Sequence, residues 1–204
     1  MTVTDFKMTK QGRIALFVDG EFLRSVHPDV FAVSGLSVGS EIDLDRLDEL
    51  AAEAEFKKAK EKALSLLSYK EYTSRQLEDR LKRHVDEDSA AMAVARMEEL
   101  GLINDDDYAE RFARDLSERR HFGILRIKQE MRQRGLTPEQ IEFATSLLKE
   151  DSSEAIREIL EKKYPLAWED EKVKKRAFAA LMRMGYPASD VRRALNTPGE
   201  DVYD

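Results

Sequence analysis

The chain of 204 residues contains no cysteine, which excludes disulfides, thiolate catalysis and cysteine-ligated zinc together and points to a reducing cytoplasm. No stretch approaches the roughly 18 uncharged apolar residues of a membrane span, and the opening MTVTDFKMTKQGR has no apolar signal core. A soluble, untargeted protein is expected. Glycine-rich phosphate loops are missing too. The three histidines, His27, His84 and His121, are scattered over turns and helix ends with no second histidine at ligand spacing. Asp105-Asp106-Asp107 is a cluster that could hold magnesium, but it lies where a helix must begin, and first-turn capping explains it better. Without a cofactor site or a preorganised set of acids, bases and nucleophiles, the chain is not expected to be an enzyme.

What is present is charge. Charged residues make up 37% of the chain and aliphatic and aromatic residues 42%, too apolar for disorder and consistent with a folded protein carrying a highly charged surface. A net charge of -7 argues against nucleic acid as a partner, yet the total conceals segregation. Residues 86–110 hold nine acids, among them Glu98, Glu99 and Asp106, against Arg96 alone. Residues 119–134 hold Arg119, Arg120, Arg126, Lys128, Arg132 and Arg134 against Glu130, and residues 172–193 hold Lys172, Lys174, Lys175, Arg176, Arg183, Arg192 and Arg193 against Asp190. Charge runs usually end as solvated faces, but same-sign blocks recurring in equivalent places favour a binding role.

The first 42 residues have a period of two. Ile14, Leu16 and Val18 alternate with Ala15 and Phe17, Asp19-Gly20 supplies a two-residue turn, and Glu21 to Val26 returns, predicting a β-hairpin. Phe6 and Met8 can add a third strand through Lys10-Gln11-Gly12. Pro28 to Ser34 reads as a helical turn ended by Gly35. Asp43 then caps a linking helix over 43–58, with Ile42 and Leu47 as its staple.

Beyond that point the chain repeats itself. A shift of 50 residues places Leu77 on Ile127 on Ala177, Leu81 on Met131 on Leu181, Gly135 on Gly185, and Ile141 on Val191. Three copies of a three-helix unit are expected, over 59–102, 103–150 and 151–197, followed by a flexible acidic tail over 198–204. The first copy lacks one residue at the turn, Lys82-Arg83-His84-Val85, and has no glycine there. Asn104-Asp105-Asp106-Asp107 opens the first helix of the second copy, Gly135 ends its second, and Thr137-Pro138-Glu139-Gln140 starts its third. Asp151-Ser152-Ser153-Glu154 should cap a helix through Lys163, and Tyr164-Pro165-Leu166-Ala167-Trp168 makes an irregular connector. Gly123, Gly135 and Gly185 serve as turns, and Tyr164, Trp168 and Tyr186 as packing residues. The fold class is therefore mainly α: three tandem helix-turn-helix-like repeats in an elongated arrangement of about 15 to 20 Å per unit, preceded by a small β-hairpin or three-stranded meander.

The run Gly101-Leu102-Ile103-Asn104-Asp105-Asp106-Asp107-Tyr108-Ala109 resembles a signature of the RecX family, roughly G-L-I-D-D-x-x-[FY]-A. The run Gly123 to Leu136 resembles its G-P-x-[RK]-[IL]-x-x-E-L-x-x-[KR]-G-[IV]. Ala63-Leu64-Ser65-Leu66-Leu67-Ser68 followed by Ser74-Arg75-Gln76-Leu77 is similar to its A-L-x-x-L-[SA] and S-x-x-[ED]-L pattern. Asn104, Ile124 and the missing first turn glycine depart from the family without removing a group that capping or packing needs. The resemblance covers about Arg13 to Leu195.

It implies a regulator that binds the RecA filament on single-stranded DNA and inhibits its recombinase, ATPase and coprotease activities, modulating DNA repair, recombination and the SOS response. Weak DNA binding, no membrane contact, no cofactor and a monomeric state go with it. The basic second helices are the expected contact, because Arg126, Lys128, Arg132 and Arg134 flank buried Ile127 and Met131 and should project outward. Lys174, Lys175, Arg176 and Arg183 are their counterparts in the last repeat, and Glu98, Glu99 and Asp106 are the acidic candidates. The rival is a helical repeat protein that binds DNA directly.

Overall fold

A computed structural model describes residues 1–148 and 152–197. The expected tail over 198–204 and the expected capping residue Asp151 lie outside them. The described residues divide into two compact units, one of residues 1–72 and 77–102, the other of Thr73–Gln76 and Ile103 onward.

The first unit begins with three antiparallel strands in the order β1-β2-β3: β1 (Val3–Met8), β2 (Ile14–Val18) and β3 (Glu21–Val26). Asp19 and Gly20 both adopt positive φ, 49° and 89°, the turn whose twist matches that of paired strands. Both the hairpin and the third strand are present. Leu16, Val26 and Val30 of the short helix α1 (Pro28–Ser34) form one core with Leu47 and Leu50 of α2 (Leu44–Leu67).

Asp43 caps α2, accepting the Arg46 amide at 3.2 Å. The helix then runs without interruption for 24 residues, so the expected division at 58/59 falls inside one continuous helix. No glycine or proline stands in that span to stop it. Next come α3 (Ser74–Leu81) and α4 (Glu87–Glu99). α2 packs on α4, and Ala59, Ala63, Ala90 and Ala93 are fully buried. Small side chains at those places allow close helix approach.

The second unit carries α5 (Asp105–Glu118), α6 (Ile124–Gln133), α7 (Pro138–Ser146), α8 (Ser153–Lys163), α9 (Glu171–Arg183) and α10 (Ala188–Asn196). Two cores with the same plan hold it together. Ile127, Met131, Leu136, Ile141 and Ala144 fill one, and the residues 50 places on, Ala177, Leu181, Tyr186, Val191 and the partly buried Ala194, line the other. The repeat seen in the sequence is thus a repeat of buried positions.

Helix starts follow their caps. Asn104 accepts the Asp106 and Asp107 amides at 3.1 Å, and Thr137 and Gln140 form a reciprocal box with Pro138 in the first turn. Gly123 before α6 and Pro187 before α10 have no side chain that can cap, and Ser152 has one that is used elsewhere. Ser152 stands at the N-cap of α8 but makes no capping bond, because its hydroxyl lies 2.8 Å from the Asp190 carboxylate. The connector before α9 is a 3-10 turn, Pro165–Trp168, held by the Trp168 indole N–H on the Ala194 carbonyl at 3.1 Å.

One junction recurs within the second unit. The Gly123 amide donates to the Met184 carbonyl at 2.8 Å and the Leu125 amide to the Gly185 carbonyl at 3.0 Å. A Cβ on Gly185 would meet Arg126 at 2.3 Å, and one on Gly123 would meet the Gly185 carbonyl at 2.4 Å. At the equivalent place the Thr73 hydroxyl donates to the Arg134 carbonyl at 2.6 Å, and a Cβ on Gly135 would meet Arg75 at 2.5 Å. A turn glycine therefore seats twice against the first turn of a second helix. In α9 the position equivalent to Gly123 is Val173, already inside the helix, with its amide held by Asp170.

Candidate functional site

The second helices place the expected basic residues on α6 and α9, and their fates differ. Arg126 does not project freely. Its guanidinium pairs with Glu130 one turn on, at 2.8 Å, and stands 5.2 Å from the Phe122 ring. Arg134 is turned inward as well, donating to the Tyr108 hydroxyl and stacking 4.0 Å from the Phe112 ring centroid. Both aromatic rings border the repeat core, and a delocalised guanidinium gains more by covering them than by extending into water. Lys128 reaches across to Glu142 on α7 at 2.6 Å.

That corrects the outward projection expected of all four cations. Among the described residues, Arg132 is the member of this set that is exposed with no ion-pair or ring partner.

On α9 the pattern is looser. Lys174 donates to the Asn196 side chain at 2.9 Å, and Lys175 lies 4.0 Å from Glu171. Arg176 and Arg183 are exposed and unpartnered among the described residues. The repeat explains Arg176: it is the counterpart of Arg126, but Ala180 stands where Glu130 would neutralise it. Arg183 lies two residues before the Gly185 that seats on Arg126, at the end of α9 that meets the start of α6. Three of the eight expected cations are therefore exposed with no partner among the described residues. Arg120, just past α5 and within the first basic block, is exposed and unpartnered in the same way among the described residues.

The acidic candidates separate. Glu98 and Glu99 lie exposed at the end of α4, in the first unit, with Glu99 paired to Arg96 at 2.7 Å. Asp106 belongs to the first turn of α5 in the second unit and accepts the Gln140 side-chain amide at 2.9 Å, which ties α5 to α7. Lys82, the counterpart of Arg132 in the first repeat, is gripped by Glu78 at 2.8 Å and by Glu87 at 2.5 Å. Hydrogen bonds to Glu78 and then Glu87 hold its ammonium above the usual lysine range. So the first repeat offers no free cation at that position.

No group of three histidines, aspartates or glutamates is placed to hold a metal among the described residues, and no described helix is long and apolar enough to cross a membrane. Sequence spacing could have revealed the Arg126–Glu130 pair, since it is an i,i+4 pair on one helix. The Arg134–Phe112 stack and the Lys128–Glu142 pair join different helices and leave no local signal.

Three family descriptions match: "RecX, first three-helix domain" over residues 59–97, "RecX, second three-helix domain" over 104–144, and "RecX, third three-helix domain" over 150–195. A protein named regulatory protein RecX from Caldanaerobacter subterraneus is 31% identical over 193 residues, 93% of this chain and 95% of that protein. One from Clostridium beijerinckii is 30% identical over 91% of this chain and 89% of its own length, and one from Chromobacterium violaceum 35% over 74% and 97%.

The crystal structure of a regulatory protein RecX matches the fold with a TM-score of 0.66 at 21% identity, covering 96% of this chain and 99% of that one. That of RecX from Lactobacillus salivarius matches with 0.64 at 23%, covering 70% and 96%. Residues, repeat and relatives agree: the chain belongs to the RecX family of regulatory proteins.

Proposed function

We propose that this protein binds the RecA filament assembled on single-stranded DNA and restrains its recombinase, ATPase and coprotease activities, acting in the cytoplasm without catalysis of its own. The observation that carries the reading is the set of exposed cations on the second helices that have no partner among the described residues, Arg132, Arg176 and Arg183, in a family of regulators. A polyanionic partner, whether filament carboxylates or the phosphates of the enclosed strand, supplies the missing counter-charges. Contacts of this kind are individually weak and add when several engage one partner. Arg126, Lys128, Arg134, Lys174 and Lys175 act behind them, shaping the helices while adding to the positive field. Glu98, Glu99 and Asp106 are the acidic contacts of the same proposal and set register by repelling wrong alignments.

The test is inhibition of DNA-dependent RecA ATPase by the triple variant Arg132→Glu, Arg176→Glu, Arg183→Glu. Inhibition weakens by tenfold or more while the helical circular dichroism stays unchanged. Full inhibition by the variant rejects the surface.

Direct binding to DNA remains the rival, because the same cations can contact phosphate. It predicts affinity for bare DNA falling by about one logarithmic slope unit in salt per phosphate contact.

A further inference from the structure

The first unit carries a groove of about 580 Å³ between β3, the first half of α2 and the start of α4. Its floor is apolar: Ala51, Ala52 and Phe56 from α2, and Met92 from α4 with 54% of its surface exposed. Six carboxylates, Asp48, Glu49, Glu53, Glu55, Asp86 and Asp88, stand around it against Arg24 alone.

Some of these acids have partners. Asp48 pairs with Arg24, Glu49 with Arg46 at 2.8 Å, Glu53 with the same Arg46 at 3.9 Å, and Glu55 with Lys58 at 3.4 Å. Asp86 accepts the Ser89 amide at 2.8 Å, a bond that keeps its carboxyl below the usual range and hence charged. Asp88 is exposed with no partner among the described residues. With Arg46 and Lys58 included, carboxylates still outnumber cations by three.

We infer that this groove docks a short basic amphipathic helix of a protein partner. An apolar floor under an acidic rim accepts a side chain such as leucine below while lysine or arginine heads meet the rim. The α2 rim sets the spacing, because Glu49, Glu53 and Phe56 follow one another at helical steps, with the acids about 6 Å apart and sharing the exposed Arg46, which an incoming base displaces. Bases one turn apart on the incoming helix match that interval. Nucleic acid and acidic peptides are repelled by the same rim. The inference stands apart from the RecA reading, since no residue lining the groove is among the contacts proposed for RecA.

The experiment uses the full chain with isotope-labelled methionine methyls and a synthetic helical peptide of about twelve residues, lysines one turn apart and leucines between them. The Met92 methyl, assigned with Met92→Ala, shifts saturably. Neutralising the rim with Glu49→Gln, Glu53→Gln and Asp88→Asn weakens binding by about tenfold, equal to about 1.4 kcal/mol. Neutralising Glu110, Glu118 and Glu161 to glutamine leaves it unchanged, and Met92→Ala weakens it severalfold with circular dichroism intact. Equal effects of the two acid sets, or a shift confined to other methionines, overturns the proposal. So does a Met92 shift that follows protein concentration without peptide, which makes a second copy of the chain the occupant.

Discussion

At the residue scale, a charge block is a poor guide to which charges are available. Arg132 and Arg134 are two positions apart on the end of α6, yet one reaches solvent and the other covers Phe112 and bonds Tyr108. Arg134→Ala should cost about 1 to 2 kcal/mol, through lost packing and a lost cation–π contact. Arg132→Ala should lie within about 0.5 kcal/mol of wild type. Urea denaturation of the two variants checks the contrast, and equal midpoints would contradict it.

Tyr186 gives a second residue-scale expectation. Its hydroxyl donates to the His121 carbonyl at 2.9 Å, and burial, with the Glu158 charge behind it, pushes the phenol up to about 12 from 10.0. Above pH 10 the unfolded chain releases this proton while the folded chain keeps it. The contribution of Tyr186 is therefore complete below pH 10 and is lost as pH rises toward about 12. Tyr186→Phe should remove that part of the alkaline decline and cost about 1 kcal/mol at neutral pH, which paired denaturation series at neutral and alkaline pH would show.

At the scale of elements, stability concentrates where a turn meets a helix start. Gly123 has an ordinary φ of -74°, so its lack of a side chain is not a matter of backbone freedom. It is required because the Gly185 carbonyl lies where a Cβ would be. Gly123→Ala should cost about 1 to 3 kcal/mol by forcing backbone against backbone, and an unchanged denaturation midpoint would show that the junction yields. Thr73 performs the same junction through its side chain, capping α3 while bonding the Arg134 carbonyl. Thr73→Val keeps the shape and removes both bonds, with an expected loss of about 2 kcal/mol measured in the same way.

The helices themselves were legible because caps, glycines and proline are local signals. Asn104, Thr137-Pro138 and Gly135 each act where they stand. The junction was not legible. Sequence reasoning assigned Gly123 and Gly185 to separate turns, and nothing local says that the two turns touch. The continuity of α2 escaped for the opposite reason: a repeat boundary and a helix boundary need not coincide, and no breaker marks the former.

At the scale of the whole molecule, the 50-residue repeat was readable because equivalent buried positions accept interchangeable apolar residues, as with Met131 and Leu181. The binding surface was readable only in outline. Charge blocks located the second helices, but which cations remain free depends on Glu130, Glu142 and the aromatic rings, whose placement is tertiary. Reading Arg176 as free needed only its comparison with Arg126, since Ala180 replaces the neutralising glutamate. Reading Arg134 as stacked on Phe112 needed the fold.

The cations can meet either the protein filament or the nucleic acid within it. Fluorescence anisotropy of labelled single-stranded DNA, titrated with this protein alone and after coating with RecA, separates the two most directly. Binding to the coated strand should be saturable and weakened by tenfold or more in the triple Arg132, Arg176 and Arg183 charge reversal, with much weaker binding to the bare strand. Equal affinity for coated and bare DNA would make the nucleic acid, and not the filament, the partner.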